Sequence, residues 1–235
     1  MTQTGHPELT NVRQPEEILR MKDVNELVNG FRRFQKRYFS ENRALYEHLT
    51  RQGQSPKVMI VACCDSRVDP AIITDSDPGD LFVVRNVANI VPPCEIGGGY
   101  HGTSAALEFA VSALGVSQLI VMGHARCGGI RALLDELPEA TRATGFVTPW
   151  MSIVAEARDG VRAVFPGPAS EAMYRACEQA AIRVSLRNLM GFPFVREAVE
   201  SGRLTLHGWY FDLERGELLC HSAATNAFEV AVARI

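Results

Sequence analysis

The chain has 235 residues, 46% of them hydrophobic and 22% charged, with a formal net charge of -3. That length buries a large core without covalent staples, and six cysteines are too dilute for a disulfide scaffold. The charge leaves no electrostatic footprint for nucleic acid or anionic lipid, and no apolar run approaches the ~18 residues of a membrane span.

The opening stretch, MTQTGHPELTNVRQPEEILRMKDV, is polar and carries both charge signs, unlike a secretory leader. The expected compartment is therefore the cytoplasm, where cysteines stay reduced and serve as core residues, metal ligands or nucleophiles. Residues 1–55 differ in texture from the rest. Ile18, Leu19 and Met21, then Leu27, Val28, Phe31, Phe34 and Tyr38, recur at helical spacing. Ser40 is placed to cap a second short helix over 41–49. The chain thus divides into an N-terminal helical arm, 1–55, and an α/β domain, 56–235. Such an arm packs on its own domain or on a partner subunit, and periodicity does not decide which.

From Val58 the pattern changes. VMIVAC (58–63), LFVV (81–84) and LIVM (119–122) are short continuous apolar runs, as in parallel strands buried on both faces. TSAALEFAVSAL (103–114), closed by Gly115, reads as the crossover helix between the last two. Ser170 to Leu189 reads as a helix ending near Gly191, and Pro193 opens another at its first turn. Leu204 to Leu213 and Leu218 to His221 flank Glu214-Arg215-Gly216 as a closing hairpin. The expected class is α/β: a mainly parallel central sheet flanked by helices, with the helical arm before it and a C-terminal antiparallel addition.

In an open parallel sheet, ligands bind beyond the carboxyl ends of the strands. Two such ends carry unusual residues: Cys63-Cys64-Asp65-Ser66-Arg67, and Gly123-His124-Ala125-Arg126-Cys127-Gly128-Gly129. Singly, a strand-end cysteine is usually a small core hydrophobe, and HxxC arises by chance. Together on one sheet, Cys63, His124 and Cys127 make a ligand set of two sulfurs and one nitrogen, which leaves a tetrahedral zinc one open position. Cys64 points to the opposite face from Cys63, and Cys94, Cys177 and Cys220 lack such company. Asp65 and Arg67 read in two ways. They form a surface ion pair, or Arg67 holds Asp65 ionised beside the metal. In the second case Asp65 could accept the proton of a water on the metal or close the site as a fourth ligand. Gly97 to Gly99 lack the Gly-Lys-Ser/Thr or GxGxxG context of a phosphate loop. A zinc deaminase would need Glu two residues after its His, where Arg126 stands.

Taken whole, the sequence resembles the β-class carbonic anhydrases, nearest their plant-like branch. CCDSRVDP (63–70), PGDLFVVRNVANIVPP (78–93), GTSAALEFAV (102–111) and GHARCGG (123–129) carry the likeness. SLRNL (185–189), FVREAV (194–199) and LHGWYFD (206–212) extend it. The resemblance implies one Zn2+ per chain on Cys63, His124 and Cys127, with Asp65 and Arg67 as the catalytic dyad. It implies a carbonate dehydratase, a zinc lyase that hydrates carbon dioxide reversibly to bicarbonate and a proton. Two thiolates cancel much of the metal charge, so activity is expected to rise toward alkaline pH.

The resemblance further implies a homodimer or a higher multiple of dimers, with the arm embracing the partner. Sites at the dimer interface would be lined by Gln54, Phe82, Val87 and Phe109. Phe109 stands where relatives often carry Tyr, so a hydrogen bond from that hydroxyl is absent. Ile60, Arg85 and Phe211 match the places where bicarbonate-inhibited bacterial members carry Trp, Arg and Tyr. No regulatory anion site is therefore expected, and the zinc should be open at neutral pH. Two other readings share the ligand set: hydrolysis of carbonyl sulfide or carbon disulfide, and a zinc-binding regulatory module without catalysis. Neither nucleic acid nor membrane is an expected partner.

Overall fold

A computed structural model describes residues 22–41, 43–97, 99–135 and 145–234, which divide into two units between Gly53 and Gln54. In the first unit, α1 (Val24–Gln35) opens on a capping box: Asp23 accepts the Glu26 amide and Glu26 accepts the Asp23 amide. A π-helical segment, Lys36–Glu41, follows, and then α2 (Arg43–Gln52). Ser40 thus lies inside the π-helical segment and is not the helix cap expected of it. The wider π turn accompanies an aromatic cluster of Phe34, Tyr38, Phe39 and Tyr46, with ring centroids 4.8 to 6.2 Å apart. Ile18, Leu19 and Met21 lie outside the described residues.

The second unit is organised by six strands: β1 (Val58–Cys63), β2 (Leu81–Asn86), β3 (Gln118–His124), β4 (Thr205–Asp212), β5 (Glu217–Ser222) and β6 (Ala227–Val232). They form one sheet in the order β2-β1-β3-β4-β5-β6. The first four are parallel; β5 and β6 are added antiparallel. The apolar runs of β1 and β3 are buried at every position after the first, as central strands covered on both faces require. The sixth strand was not foreseen. AFEVAV mixes apolar residues with Glu229 and is mostly exposed, so it shows neither continuous burial nor a clean alternation.

Helices surround the sheet. The short α3 (Pro70–Ile73) is capped by Asp69. The crossover is α4 (Gly102–Glu108), continued by a π-helical stretch to Leu114 and stopped by Gly115 in the left-handed region at φ 65°. Next come α5 (Gly128–Asp135), α6 (Val147–Ser152) and α7 (Ala155–Val164). The long α8 (Glu171–Leu189) begins where the Ser170 hydroxyl accepts the Met173 amide. The last helix is α9 (Pro193–Glu200).

Ile182 of α8 comes so near β3 that a Cβ on Gly123 would stand 2.7 Å from its Cδ1. A glycine there lets the helix lie close behind the strand ends. One core, with Met59, Val61, Leu119, Val121 and Ile182, fills that side. A second, with Cys63, Cys127, Ile130, Met151 and Val161, gathers at the carboxyl ends of the strands. Among the described residues no helix is long and apolar enough to cross a membrane.

Candidate metal centre

β1 and β3 are parallel neighbours with Ala62 level with Met122, so Cys63 and His124 end side by side. Cys127 follows a short turn and stands immediately before α5. One donor atom from each of the three lies within 4.8 Å of the others, and all three residues are buried. The Nδ1 of His124 bonds the Ala125 carbonyl at 2.8 Å. A carbonyl only accepts, so Nδ1 carries the hydrogen and Nε2 keeps its lone pair. That Nε2 is buried and has no hydrogen-bond partner among the described residues. A buried orphan nitrogen beside two sulfurs, with its ring fixed through the other nitrogen, fits zinc.

The two thiols are electrostatically joined. Hydrogen bonding from Cys127 pulls the Cys63 thiol well below its ordinary value against the opposing effect of burial. Cys127 is raised by that same Cys63 contact and by burial, although the amides of Ile130 and Gly129 at the start of α5 work the other way. Without a metal the pair therefore shares a proton. A divalent cation would let both ionise.

Asp65 stands beside the cluster, clamped by Arg67. Nε of Arg67 donates to Oδ1 at 2.9 Å and Nη2 to Oδ2 at 2.7 Å, while the Arg67 amide adds a 3.0 Å bond to Oδ1. These bonds hold the Asp65 carboxyl well below the usual carboxylate range. Nη2 also reaches the Arg126 carbonyl at 3.1 Å, which links the two ligand turns. Arg85 has a place that its sequence position did not disclose. Its guanidinium donates to the Cys63 carbonyl at 2.9 Å, the Asp65 carbonyl at 2.7 Å and Asp69 Oδ2 at 2.8 Å, bracing the turn after β1. Ile60 is buried inside β1 and Phe211 is half-buried. Cys64 is exposed while Cys63 is buried, as alternation along a strand requires.

The four expected pocket residues do not gather in one chain. Val87 lies in the short turn after β2 and packs with the core that holds Cys63 and Cys127; its carbonyl accepts the Trp150 indole at 2.8 Å. Phe82 is level with Met59, roughly 13 Å back along the strand from Cys63 at the ordinary strand rise. It packs on Phe109, with ring centroids 5.9 Å apart, and on the other core. Gln54 is exposed, ahead of the amino end of β1.

Sequence reasoning also passed over Glu178, whose carboxylate accepts the Cys127 amide and the Tyr210 hydroxyl. A signal was present: Tyr174, Glu178, Ala181 and Ser185 follow helical spacing, which puts an acid on the apolar face of a helix.

Comparison with known proteins agrees with this site. The family model described as carbonic anhydrase matches residues 58–218. A carbonic anhydrase of Synechocystis is 35% identical over 212 residues, which is 90% of this chain and 76% of that one. The solved β-carbonic anhydrase CcaA superposes with a TM-score of 0.81 at 35% identity, over 88% of this chain and 98% of that chain. A structure from work on two tetrameric β-carbonic anhydrases of Sordaria macrospora gives 0.69 at 27% identity, over 83% and 93%. The matched stretch begins at β1 and runs into β5, so it spans both strand ends that build the cluster, and the chain belongs to the β-class carbonic anhydrases.

Proposed function

We propose that this carbonate dehydratase hydrates carbon dioxide to bicarbonate and a proton through Asp65 and Arg67 as its catalytic dyad, in a pocket completed by a second chain. The cofactor is zinc, and Cys63, His124 and Cys127 are the residues that would hold it, one ion per chain. The observation that carries the reading is the orphan Nε2 of His124, set with two sulfurs beside an aspartate that arginine keeps ionised. Bound zinc supplies Lewis acidity that makes water nucleophilic near neutral pH.

The chain's own residues do the rest. Asp65 Oδ2 accepts one bond from Arg67, so it retains acceptor capacity for the O–H of the attacking water. Holding that hydrogen turns the water's lone pair toward the carbon of the substrate. The same clamp competes with any approach of Asp65 to the metal as a fourth ligand, which favours an open site at neutral pH. Arg85 is engaged by three acceptors of the 63–69 turn and is not poised for a regulatory anion.

Carbon dioxide is small and apolar, and Phe82, Val87 and Phe109 suit it, with Gln54 as hydrogen-bond donor to an oxygen of substrate or product. Because Phe82 and Phe109 lie far down the β2 side of their own chain, they serve the site of the neighbouring subunit. Val83 and Phe109, 37% and 48% exposed, give that sheet edge the apolar character of an interface. We assign residues 1–55 to an arm that embraces the partner. Its α1 presents Val24, Leu27, Val28 and Phe31 to solvent, more apolar surface than a lone helix leaves bare. A homodimer, or a multiple such as the tetramers of the Sordaria relatives, is the assembly proposed, in the cytoplasm.

Zinc per chain by metal analysis and carbon dioxide hydration by stopped flow test the reading. One zinc with rapid hydration supports it. Zinc without hydration would point to a regulatory module, and sulfide release from carbonyl sulfide outpacing hydration would move the substrate.

A further inference from the structure

Cys127 is anchored from behind. Glu178, on the inner face of α8, is 4% exposed. Its Oε1 accepts the Cys127 amide at 3.0 Å and its Oε2 accepts the Tyr210 hydroxyl at 2.7 Å, with Tyr210 itself fully buried on β4. A carboxylate in such a place is costly, and an apolar side chain of similar volume would often stabilise the fold more. The turn it touches explains its presence. Arg126, between the two ligands of that turn, is left-handed at φ 58°, a conformation that a residue with a Cβ adopts only under outside constraint. One constraint is on Arg126, whose side chain meets Glu214 at 2.7 Å and whose carbonyl meets Arg67 at 3.1 Å. Glu178 supplies the second, on the backbone of the ligand itself.

We propose that Glu178, oriented by Tyr210, is a positioning residue of the metal centre: it fixes the Cys127 backbone so that the thiol stays with Cys63 and His124. The proposal rests on the reading of Cys127 as a zinc ligand. It predicts an effect on metal retention that buried bonds elsewhere on α8 do not share. Ser185 provides the comparison, since its hydroxyl accepts the Val91 amide at 3.1 Å in an equally buried place away from the cluster.

Zinc affinity is measured in the full chain by competition with a chromophoric chelator, and ligand geometry by the absorption of the cobalt(II)-substituted protein. Glu178→Ala is expected to hold zinc about 10- to 100-fold more weakly, the usual cost of losing an outer partner of a metal ligand, and to alter the cobalt bands. Glu178→Gln keeps an oxygen for the Cys127 amide and should recover most of the affinity. Ser185→Ala should retain zinc like the wild type. Undiminished zinc affinity in Glu178→Ala would overturn the proposal, and so would an equal loss in Ser185→Ala, which would mark a general bracing of the core. Should Glu178→Ala fail to fold, Tyr210→Phe removes one anchor of the carboxylate. A several-fold weaker hold on zinc is expected there, and unchanged affinity would overturn the proposal. A wild-type chain that takes up no zinc would instead remove the ligand reading beneath it, so the two failures are distinguishable.

Discussion

Asp65 gives both of its oxygens to Arg67 and is thereby held ionised far into the acid range. A depressed carboxyl in the folded state contributes stability that is fully present above the unfolded value of ~3.9. That contribution is lost only as pH falls through the lower folded value. Between pH 5 and 9 the stability difference between wild type and Asp65→Asn should therefore stay constant, and it should shrink below about pH 4; denaturant melts across that range check it. In the same variant zinc should be retained while hydration falls at least ~10-fold, as for loss of a proton acceptor at the reacting water. A wild-type rate would remove Asp65 from the dyad. Because Asp65 does not titrate near neutrality, it cannot produce a change of rate there. The wild-type rate is nevertheless expected to rise from pH 6 to 9, on account of the two thiolates. A flat stopped-flow profile under strong buffering would contradict that charge argument.

At the scale of elements, the start of α5 and the turn after β2 are pressed together. A Cβ on Gly129 would stand 2.9 Å from Val87 Cγ1, 3.0 Å from Ala88 Cβ and 3.2 Å from Met151 Sδ. Gly129→Ala should cost about 1–3 kcal/mol of stability, as overpacking in a close-packed interior does, and a thermal or denaturant melt of the zinc-loaded protein reads it. An unchanged midpoint would mean that the turn yields freely.

What the sequence disclosed and what it withheld follow the same line between local and distant order. Cys63 and His124 directly continue apolar runs that read as strands, so their juxtaposition needed only the parallel pairing of β1 with β3. Ser170 and Pro193 marked helix starts by chemistry confined to one turn. The roles of Arg85 and Glu178 were opaque because their partners lie 20 and 51 residues away, although the place of Glu178 on an apolar helix face was readable from periodicity. Strand β6 was missed because an exposed edge strand has no buried face to impose a pattern, and Ser40 misled because a π turn alters the spacing on which a cap is read.

The whole molecule poses a different question: whether a chain completes its own pocket. Phe82 and Phe109 touch each other, and Phe82 packs on the core away from the cluster, while Val87 packs on the core that includes Cys63 and Cys127. On the proposed reading, a pocket walled by all three takes its metal from one chain and its aromatic wall from another. Two inactive variants can separate this from a self-contained site. Cys63→Ser, expected to lose zinc, keeps the wall; Phe82→Ala with Phe109→Ala keeps the zinc ligands and loses the wall. In a two-fold dimer formed at random from equal amounts, half the pairs are mixed, and each mixed pair has one complete site. Co-expression should then restore about a quarter of the wild-type sites, because each partner supplies what the other lacks across an isologous interface. Stopped-flow hydration of the co-purified pair measures it, with each variant alone as the baseline. If both halves of the pocket came from one chain, every site in the mixture would remain defective and the rate would equal the average of the two baselines.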